Sequence, residues 1–560
     1  MSATKNNNSN NNCALFFHPE AYSVPEVRLM GRNVAGQSFL RGFLENSRAS
    51  AFPVYCKKIE HAHIFAQIVR NSGRSETVKF ISKETFGALS QIGLLYLPGP
   101  GLGEQAWRRA AYGHASWSLC GITHTTSSAR AMDALVDLIL APVQPWDALI
   151  CTSNAVKDNV QRVLQAEVEY LKDRLGIGKL VLPRLPVIPL GIHTHDFNFT
   201  DNDGELARAE LGIGEESLVV LFMGRLSFHA KAHPLAMYQA LEDAGRQTGK
   251  DVVLIECGWH ANDFIAEAFI SGAKAACPSV RVLTLDGRKE SDRKKAWSSA
   301  DIFCSLSDNV QETFGITPIE AMAAGLPVVV SDWDGYRDTV RNEIDGFRIQ
   351  TIMPPDRLGS DLALRHALEL DTYDMYCGHT SSLVAVDVQE TTQAFVKLFS
   401  SKDLRRRMGE EGRARARQVF DWSVIIPQYE ELWNELADIR NEHANDLKPL
   451  AHPWPARIDP FYSFESYPSS ILGLEAIIEL VDPDAHLALK RTLAYSQLKM
   501  VNYAKFIFLE NDEIVALINF VSQKPITLGS LLVVFPEERR PFVFRSIGWF
   551  LKLGIFKLGK

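Results

Sequence analysis

One run of residues does most to limit what this chain can fold into: Gln311-Glu312-Thr313-Phe314-Gly315-Ile316-Thr317-Pro318-Ile319-Glu320-Ala321-Met322-Ala323-Ala324-Gly325-Leu326-Pro327-Val328-Val329-Val330. Its order of residue types predicts a loop, a short helix and a buried strand. Pro318 suits the first helical position, where a missing N–H costs nothing. Thr317 is then the N-cap, with Glu320 three residues on as in a capping box. Gly325 ends the helix, Pro327 stops it continuing, and Val328–Val330 reads as a strand buried on both faces. A loop entering a helix in this way presents unpaired backbone N–H groups, here from Phe314 to Ile316. Those groups and the helix dipole favour an anion.

Glu312 and Glu320 flank that anion site. Were both on one helix, eight residues would separate them by about 12 Å, beyond the roughly 5–9.5 Å between carboxyls that cleave glycosides. A loop position for Glu312 leaves the separation open. Two readings stand: the pair holds different parts of one extended polar ligand, or Glu320 only caps its helix.

At 560 residues the chain has room for about three or four domains. Its 46% apolar and 22% charged residues suit a globular protein, and a net charge of −8 argues against a general nucleic-acid binder. Cysteines 13, 56, 120, 151, 257, 277, 304 and 377 form no Cys-x-x-Cys pair. They read as reduced core residues of a cytosolic protein, with neither a disulfide framework nor a zinc site. The Asn-rich start lacks an apolar core and reads as a disordered leader, not a signal peptide. No run approaches the ~20 apolar residues of a membrane span.

Short apolar runs alternate with helical patterns from Ala14 to about Val187, which predicts a parallel sheet with crossover helices. Ala14–Phe17 is the first strand, followed by a loop carrying Gly31 and Gly36 and a helix from near Gln37. Glycines there let a backbone approach a phosphate, or merely turn the chain. His124 follows Gly121-Ile122-Thr123 at another strand end, where a structural role is as ready a reading as a ligand one. From about Asp203 the alternation resumes, with strands over Leu218–Met223, Asp251–Glu256, Val280–Leu285 and Asp301–Ser307. The first of these runs into Gly224-Arg225-Leu226, with Lys231 six residues past the Arg. Arg offers phosphate a planar fork and Lys a point charge, and open α/β sheets bind ligands at the carboxyl ends of their strands. A solvated charged loop is the plainer reading. Met353–Val386 is less regular and reads as an insertion. Glu390–Phe399 and Asp403–Phe420 are amphipathic helices, the basic run after Asp403 being a solvated face and not an RNA patch.

Glu312 and Glu320, with Phe314-Gly315 and Glu320-Ala321-Met322-Ala323 around them, resemble the Glu-x7-Glu signature of retaining glycosyltransferases of family 4 (group 1). The resemblance covers about residues 14–440. It implies the α/β architecture called GT-B, in which two Rossmann-like domains face a central cleft. Residues 14–202 would form the acceptor domain and 203–420 the nucleotide-sugar donor domain. A helix over 421–440, carrying Trp422 and Ile425–Leu436, would return to the first domain.

The same resemblance implies roles. Arg225 and Lys231 would hold the donor diphosphate, Glu312 the sugar and Glu320 the ribose, with His124 facing the sugar. Gly224, Phe314, Gly315, Ile316 and Thr317 would line the donor, and Gly287 and Arg288 would meet the nucleobase. Where the family often has paired glycines after the first strand, this chain has Ala35-Gly36, so only Gly36 carries over. Leu190 and His193 depart from the family pattern beside Gly191 and carry no chemistry. The implied reaction moves a sugar from a UDP- or GDP-sugar to an acceptor hydroxyl, with no metal and no other cofactor. An epimerase or phosphorylase on the same fold, and a catalytically dead binding protein, are the rival expectations.

Residues 1–13 fall outside the resemblance as the leader, 441–470 as a Pro-rich linker and 471–560 as a small α+β module. The module's pattern resembles a winged helix, with peptide binding, self-association or packing on the core as readings. No nucleic-acid partner is expected, and the acceptor (saccharide, lipid-linked or peptide) is open. The expected location is cytoplasmic, with Trp549–Lys557 as a weaker candidate for contact with a membrane surface.

Overall fold

The computed structural model describes residues 13–22, 31–444, 447 and 452–559, so all of the expected leader except Cys13 lies outside them. The chain divides into two compact units, Met1–Trp454 and Pro455–Lys560.

Two six-stranded parallel sheets organise the larger unit. The first comprises β1 (Ala14–Phe16), β2 (Ala51–Tyr55), β3 (Thr77–Ile81), β4 (Leu94–Tyr96), β5 (Ser118–Ile122) and β6 (Ala148–Ile150) in the order β3-β2-β1-β4-β5-β6. The second comprises β7 (Leu218–Met223), β8 (Val252–Gly258), β9 (Arg281–Asp286), β10 (Ile302–Ser305), β11 (Val328–Ser331) and β12 (Gly346–Ile349) in the order β12-β11-β10-β7-β8-β9. Read from the other edge, the second order is that of the first: each sheet starts in the middle, builds one side, then reverses and builds the other. This is the doubly wound α/β pattern, and two such sheets are the expected GT-B architecture. β7 and β8 are buried at every position, as strands covered by helices on both faces must be. The reversals fall between β1 and β4 and between β7 and β10, where the pairing Ile302↔Val220 and Phe303↔Leu221 sets the register.

The helix Trp422–His443 returns to the first domain. Its first residue is the contact that matters most. The Trp422 indole sits where a Cβ on Gly42 would lie 2.3 Å from Cγ and one on Gly191 2.5 Å from Cδ2, so only glycine fits at either place. Its Nε1–H donates to Ser38 Oγ at 2.8 Å. Further along, Glu430 accepts from Ser47 Oγ (3.1 Å) and the Arg48 N–H (3.0 Å).

Two expectations are corrected. Gly36 lies inside the helix Gly31–Asn46, which begins well before Gln37. A Cβ there would come 2.0 Å from the Ala21 carbonyl oxygen, so the glycine lets two helices touch. The insertion is more regular than its sequence suggests. The antiparallel pair Thr351–Ile352 with Ala385–Val386 closes its base, and it carries the helices Ser360–Ala367 and Tyr373–Ser381.

In the smaller unit, Ile477–Leu480 is the central strand of a three-stranded antiparallel sheet, between Ile526–Thr527 and Phe556–Leu558. Helices Ala485–Ser496, Asn511–Val521 and Arg540–Lys552 cover it around Ile478, Leu517, Ile547 and Phe550. Phe550, Ile555 and Phe556 of the stretch considered for a membrane contact are buried in that core, and Trp549, Leu551 and Leu553 pack against it partly buried. Among the described residues no helix is long and apolar enough to cross a membrane.

The fit around Trp422 can be tested directly. Gly191→Ala is expected to lower stability by about 1–3 kcal/mol in chemical denaturation. Gly178→Ala, whose Cβ would meet nothing within 4 Å, is expected to change it by less than about 0.5 kcal/mol. Equal losses for the two variants would contradict the wedge.

Candidate functional site

The reversal between β7 and β10 brings the two most distinctive sequence features together. The loop after β7 carries Arg225 and Lys231; the loop after β10 carries Gln311 and Glu312. Arg225 uses one nitrogen, Nη2, for two hydrogen bonds, to the Ala230 carbonyl (2.7 Å) and Gln311 Oε1 (3.0 Å). Nε and Nη1 have no protein acceptor among the described residues. Lys231 Nζ is ion-paired with Glu312, the side chains being 26% and 10% exposed. Burial pushes the Glu312 carboxyl up, but the Lys231 ammonium and the N–H groups of Thr313 and Phe314 outweigh it and hold the pKa below its ordinary value.

The helix that follows is Ile316–Ala324, and its start corrects the sequence reading. The N-cap is Gly315, not Thr317, and Pro318 is the third helical residue. Gly315 has φ 80°, and a Cβ there would fall 1.9 Å from Tyr336 Cε1, so only glycine fits. Thr317 and Glu320 therefore form no capping box. Ile316 and Thr317 still stand at the first turn, where N–H groups lack helical partners. The Phe314 N–H serves Glu312 instead, and the Phe314 ring is buried against Phe420.

Glu320 is half-buried on this helix, beside Arg293. Desolvation raises its pKa to about 7, with Arg293 pulling down and Asp196 pushing up. Three more carboxyls near the second sheet's strand ends are raised by burial: Asp308 and Glu256 to about 7, Asp334 to about 8. For Asp334 the Glu312 charge is the next cause.

His124, in the loop after β5, reaches the same place through its backbone: Thr313 Oγ1 donates to its carbonyl at 3.2 Å. Gly224, Gly258 and Gly287 line the carboxyl edge of β7, β8 and β9 with bare backbone. A Cβ on Gly258 would lie 1.9 Å from the Gly224 oxygen, and one on Gly287 2.9 Å from the Gly258 Cα. Arg288 folds back on Asp286, Nε to Oδ1 at 2.8 Å and Nη2 to Oδ2 at 2.9 Å. Gly36, inside its helix, belongs to the packing against Ala21.

Several residues at the site carried no role in the sequence reading. Gln311 links Arg225 to Tyr373, which comes from the insertion. Thr152 Oγ1 donates to the Thr313 carbonyl at 3.2 Å, and Ser153 Oγ to Asp334 Oδ1 at 3.2 Å. The Asn154 N–H reaches Asp338 Oδ2 at 2.7 Å. Asp334 holds a positive φ of 45°, a backbone state uncommon outside glycine. Chain position alone gives no hint of these cross-domain partners.

Residues 203–358 match the model of the family glycosyl transferases group 1. The D-inositol 3-phosphate glycosyltransferase of Geodermatophilus obscurus is 29% identical over 277 residues, 47% of this chain and 55% of that protein. The phosphatidyl-myo-inositol mannosyltransferase of Mycobacterium tuberculosis is 29% identical over 279 residues, 50% of this chain and 63% of that protein. The chain thus spans little more than half the length of the curated relatives it matches. The Anabaena HepE structure solved with UDP and glucose aligns with a TM-score of 0.48 at 16% identity, covering 76% of this chain and 100% of that one.

Two outcomes follow from the electrostatics. Lys231→Ala leaves the Glu312 carboxylate largely buried and unpaired, and is expected to cost about 1–3 kcal/mol of stability. Lys231→Ala with Glu312→Gln should recover part of that loss; simple additivity would show the pair uncoupled. The folded pKa of Glu320 lies above its unfolded value, so its stabilising contribution is full at low pH and is lost as pH rises through about 7. Glu320→Gln should therefore flatten the fall of melting temperature between about pH 5 and 8. An unchanged profile would place the titration elsewhere.

Proposed function

We propose, on the premise that residues 203–358 form a group 1 glycosyl transferase segment, that the chain is a retaining hexosyltransferase. It moves a sugar from a UDP- or GDP-sugar to an acceptor hydroxyl without a metal ion. The observation that carries this reading is the convergence of Arg225, Lys231 and the first turn of Ile316–Ala324 at the reversal of the second sheet. The names of the relatives, a glycosyltransferase and a mannosyltransferase, support it.

The chemistry places charge where these groups stand. As the bond from the anomeric carbon to the diphosphate breaks, positive charge grows on the sugar and negative charge on the leaving phosphate. Fixed cations and N–H groups aimed at that phosphate stabilise the transition state more than the ground state. Arg225 keeps its Nη1 and Nε for this, and the diphosphate competes with Glu312 for the Lys231 ammonium. Glu312 then accepts from sugar hydroxyls. Glu320 accepts from the ribose, whose O–H donors favour its ionised form. The acceptor oxygen attacks from the face the phosphate leaves, and that phosphate takes its proton, so no protein nucleophile is needed. The acceptor, a peptide or self-association role for residues 471–560 and a cytoplasmic site of action belong to the same proposal.

UDP or GDP at ~100 times its dissociation constant is expected to stabilise the protein by roughly 2.7 kcal/mol, read as a rise in melting temperature. Sugar transfer or donor hydrolysis should survive EDTA and fall steeply in Lys231→Ala. Activity lost to the chelator and restored by magnesium or manganese would overturn the metal-free reading. The absence of a shift with either diphosphate would overturn the donor site itself.

A further inference from the structure

The insertion delivers one side chain to the edge of the site. Tyr373 is the first residue of the helix Tyr373–Ser381, whose N-cap Thr372 accepts from the Met375 N–H. The Tyr373 hydroxyl lies 3.1 Å from Gln311 Nε2, 2.9 Å from Ser127 Oγ and 3.5 Å from Thr125 Oγ1. The Gln311 amide has a fixed sense here: its oxygen accepts from Arg225 and its nitrogen donates to Tyr373. The phenol therefore accepts from Gln311 and keeps its own proton for Ser127 or Thr125. A continuous chain runs from Arg225 through Gln311 and Tyr373 to the loop after β5 in the first domain.

A second contact ties the same helix to the cationic loop. A Cβ on Gly378 would come 3.0 Å from the His229 Cβ, so the helix packs directly on the stretch between Arg225 and Lys231. His229 is also held from the other side, its carbonyl accepting from Asn309 Nδ2 at 3.0 Å. The insertion thus touches the loop through His229 and reaches Arg225 through Gln311.

We propose that Tyr373 is a positioning residue for Arg225. Its hydroxyl fixes the Gln311 amide, and Gln311 fixes the guanidinium so that Nη1 and Nε face the donor diphosphate. The insertion helix is then a wall of the diphosphate site, anchored on the first domain by Ser127. The inference rests on the donor-site reading above. Its physical content is preorganisation: an Arg held before binding loses less side-chain freedom when the phosphate arrives.

The test is calorimetry of UDP and GDP with the full chain. For whichever diphosphate the parent binds, Tyr373→Phe should weaken affinity roughly five- to tenfold, the size of one hydrogen bond's net effect. In an Arg225→Ala background the same change should cost nothing further, because the residue it positions is gone. Ser127→Ala, which cuts only the far anchor, should weaken binding in the same direction by a smaller factor, and it carries the test should Tyr373→Phe melt early. A parent that binds a diphosphate while Tyr373→Phe binds it equally well overturns the role. So does a full loss persisting without Arg225, which would mark a merely structural effect. A parent that binds neither diphosphate overturns the donor-site reading, a result distinct from either.

Discussion

One indole anchors the chain where it returns to the first domain. The two sheets are separate hydrogen-bonded systems, and the returning chain is part of what holds their reversal points together. That chain turns at Trp422, wedged against Gly42 and Gly191 with its N–H on Ser38. Beside it, the Ile192 N–H donates to the Phe420 carbonyl and the Trp422 N–H to the Ile192 carbonyl, at 2.8 and 3.1 Å. A bulky ring with one polar atom suits such a joint, since it buries much apolar area while its single donor is satisfied. Two glycines on separate segments admit the ring, so the joint is specified by three positions far apart in sequence.

The electrostatics of the cleft divide its carboxyls into two kinds. Glu312 is deeply buried yet held below its ordinary pKa, because an ammonium and backbone N–H groups surround it. Glu320 and Asp334, similarly desolvated but with weaker stabilising partners, are pushed to about 7 and 8. Burial alone would have raised all three, and the partner decides the sign. A carboxylate kept ionised beside a lysine suits exchange with an anion. Carboxyls near neutrality suit groups that hydrogen-bond to hydroxyls. One short stretch of sequence, 311–320, thus carries both behaviours.

Much of the fold is legible in the sequence, and the reasons are local. Strand runs such as Leu218–Met223 declare themselves because buried parallel strands are apolar throughout, and the order of residues alone puts Arg225 and Lys231 just past that strand's carboxyl end. The helix start was misread because Thr, Pro and Glu at 317, 318 and 320 fit a capping box by spacing, whereas the cap was decided by Tyr336. The Tyr336 ring leaves room at position 315 only for a glycine with positive φ. Gly36 misled for a related reason: its need for no side chain arises from the Ala21 backbone, a neighbour the sequence does not announce as close. Tyr373 gave no signal at all, since it sits in an insertion that follows no family pattern and its three partners lie on two other loops.

The contacts across the cleft differ from those in the sheets in a way that bears on how the site works. Around Trp422 the domains share a buried ring and packed backbone. Across the mouth they share scattered hydrogen bonds: Thr152 to Thr313, Thr313 to His124, Ser153 to Asp334, Ser127 to Tyr373 and two from Asn154 to Asp338. Each such bond is worth on the order of 1 kcal/mol net, because water replaces it when it opens. The joint is thus apolar and close-packed at one end and held by a few polar contacts at the other. Asp334 sharpens that contrast. Its carboxyl is desolvated, its Oδ2 meets no partner among the described residues, and its backbone sits at a positive φ. Such a residue is retained where the surrounding structure over-determines it, and here it stands between Ser153 of one domain and Glu312 of the other. At the mouth, an uncommon backbone state and unmet polarity at Asp334 are therefore set against a few hydrogen bonds between the domains.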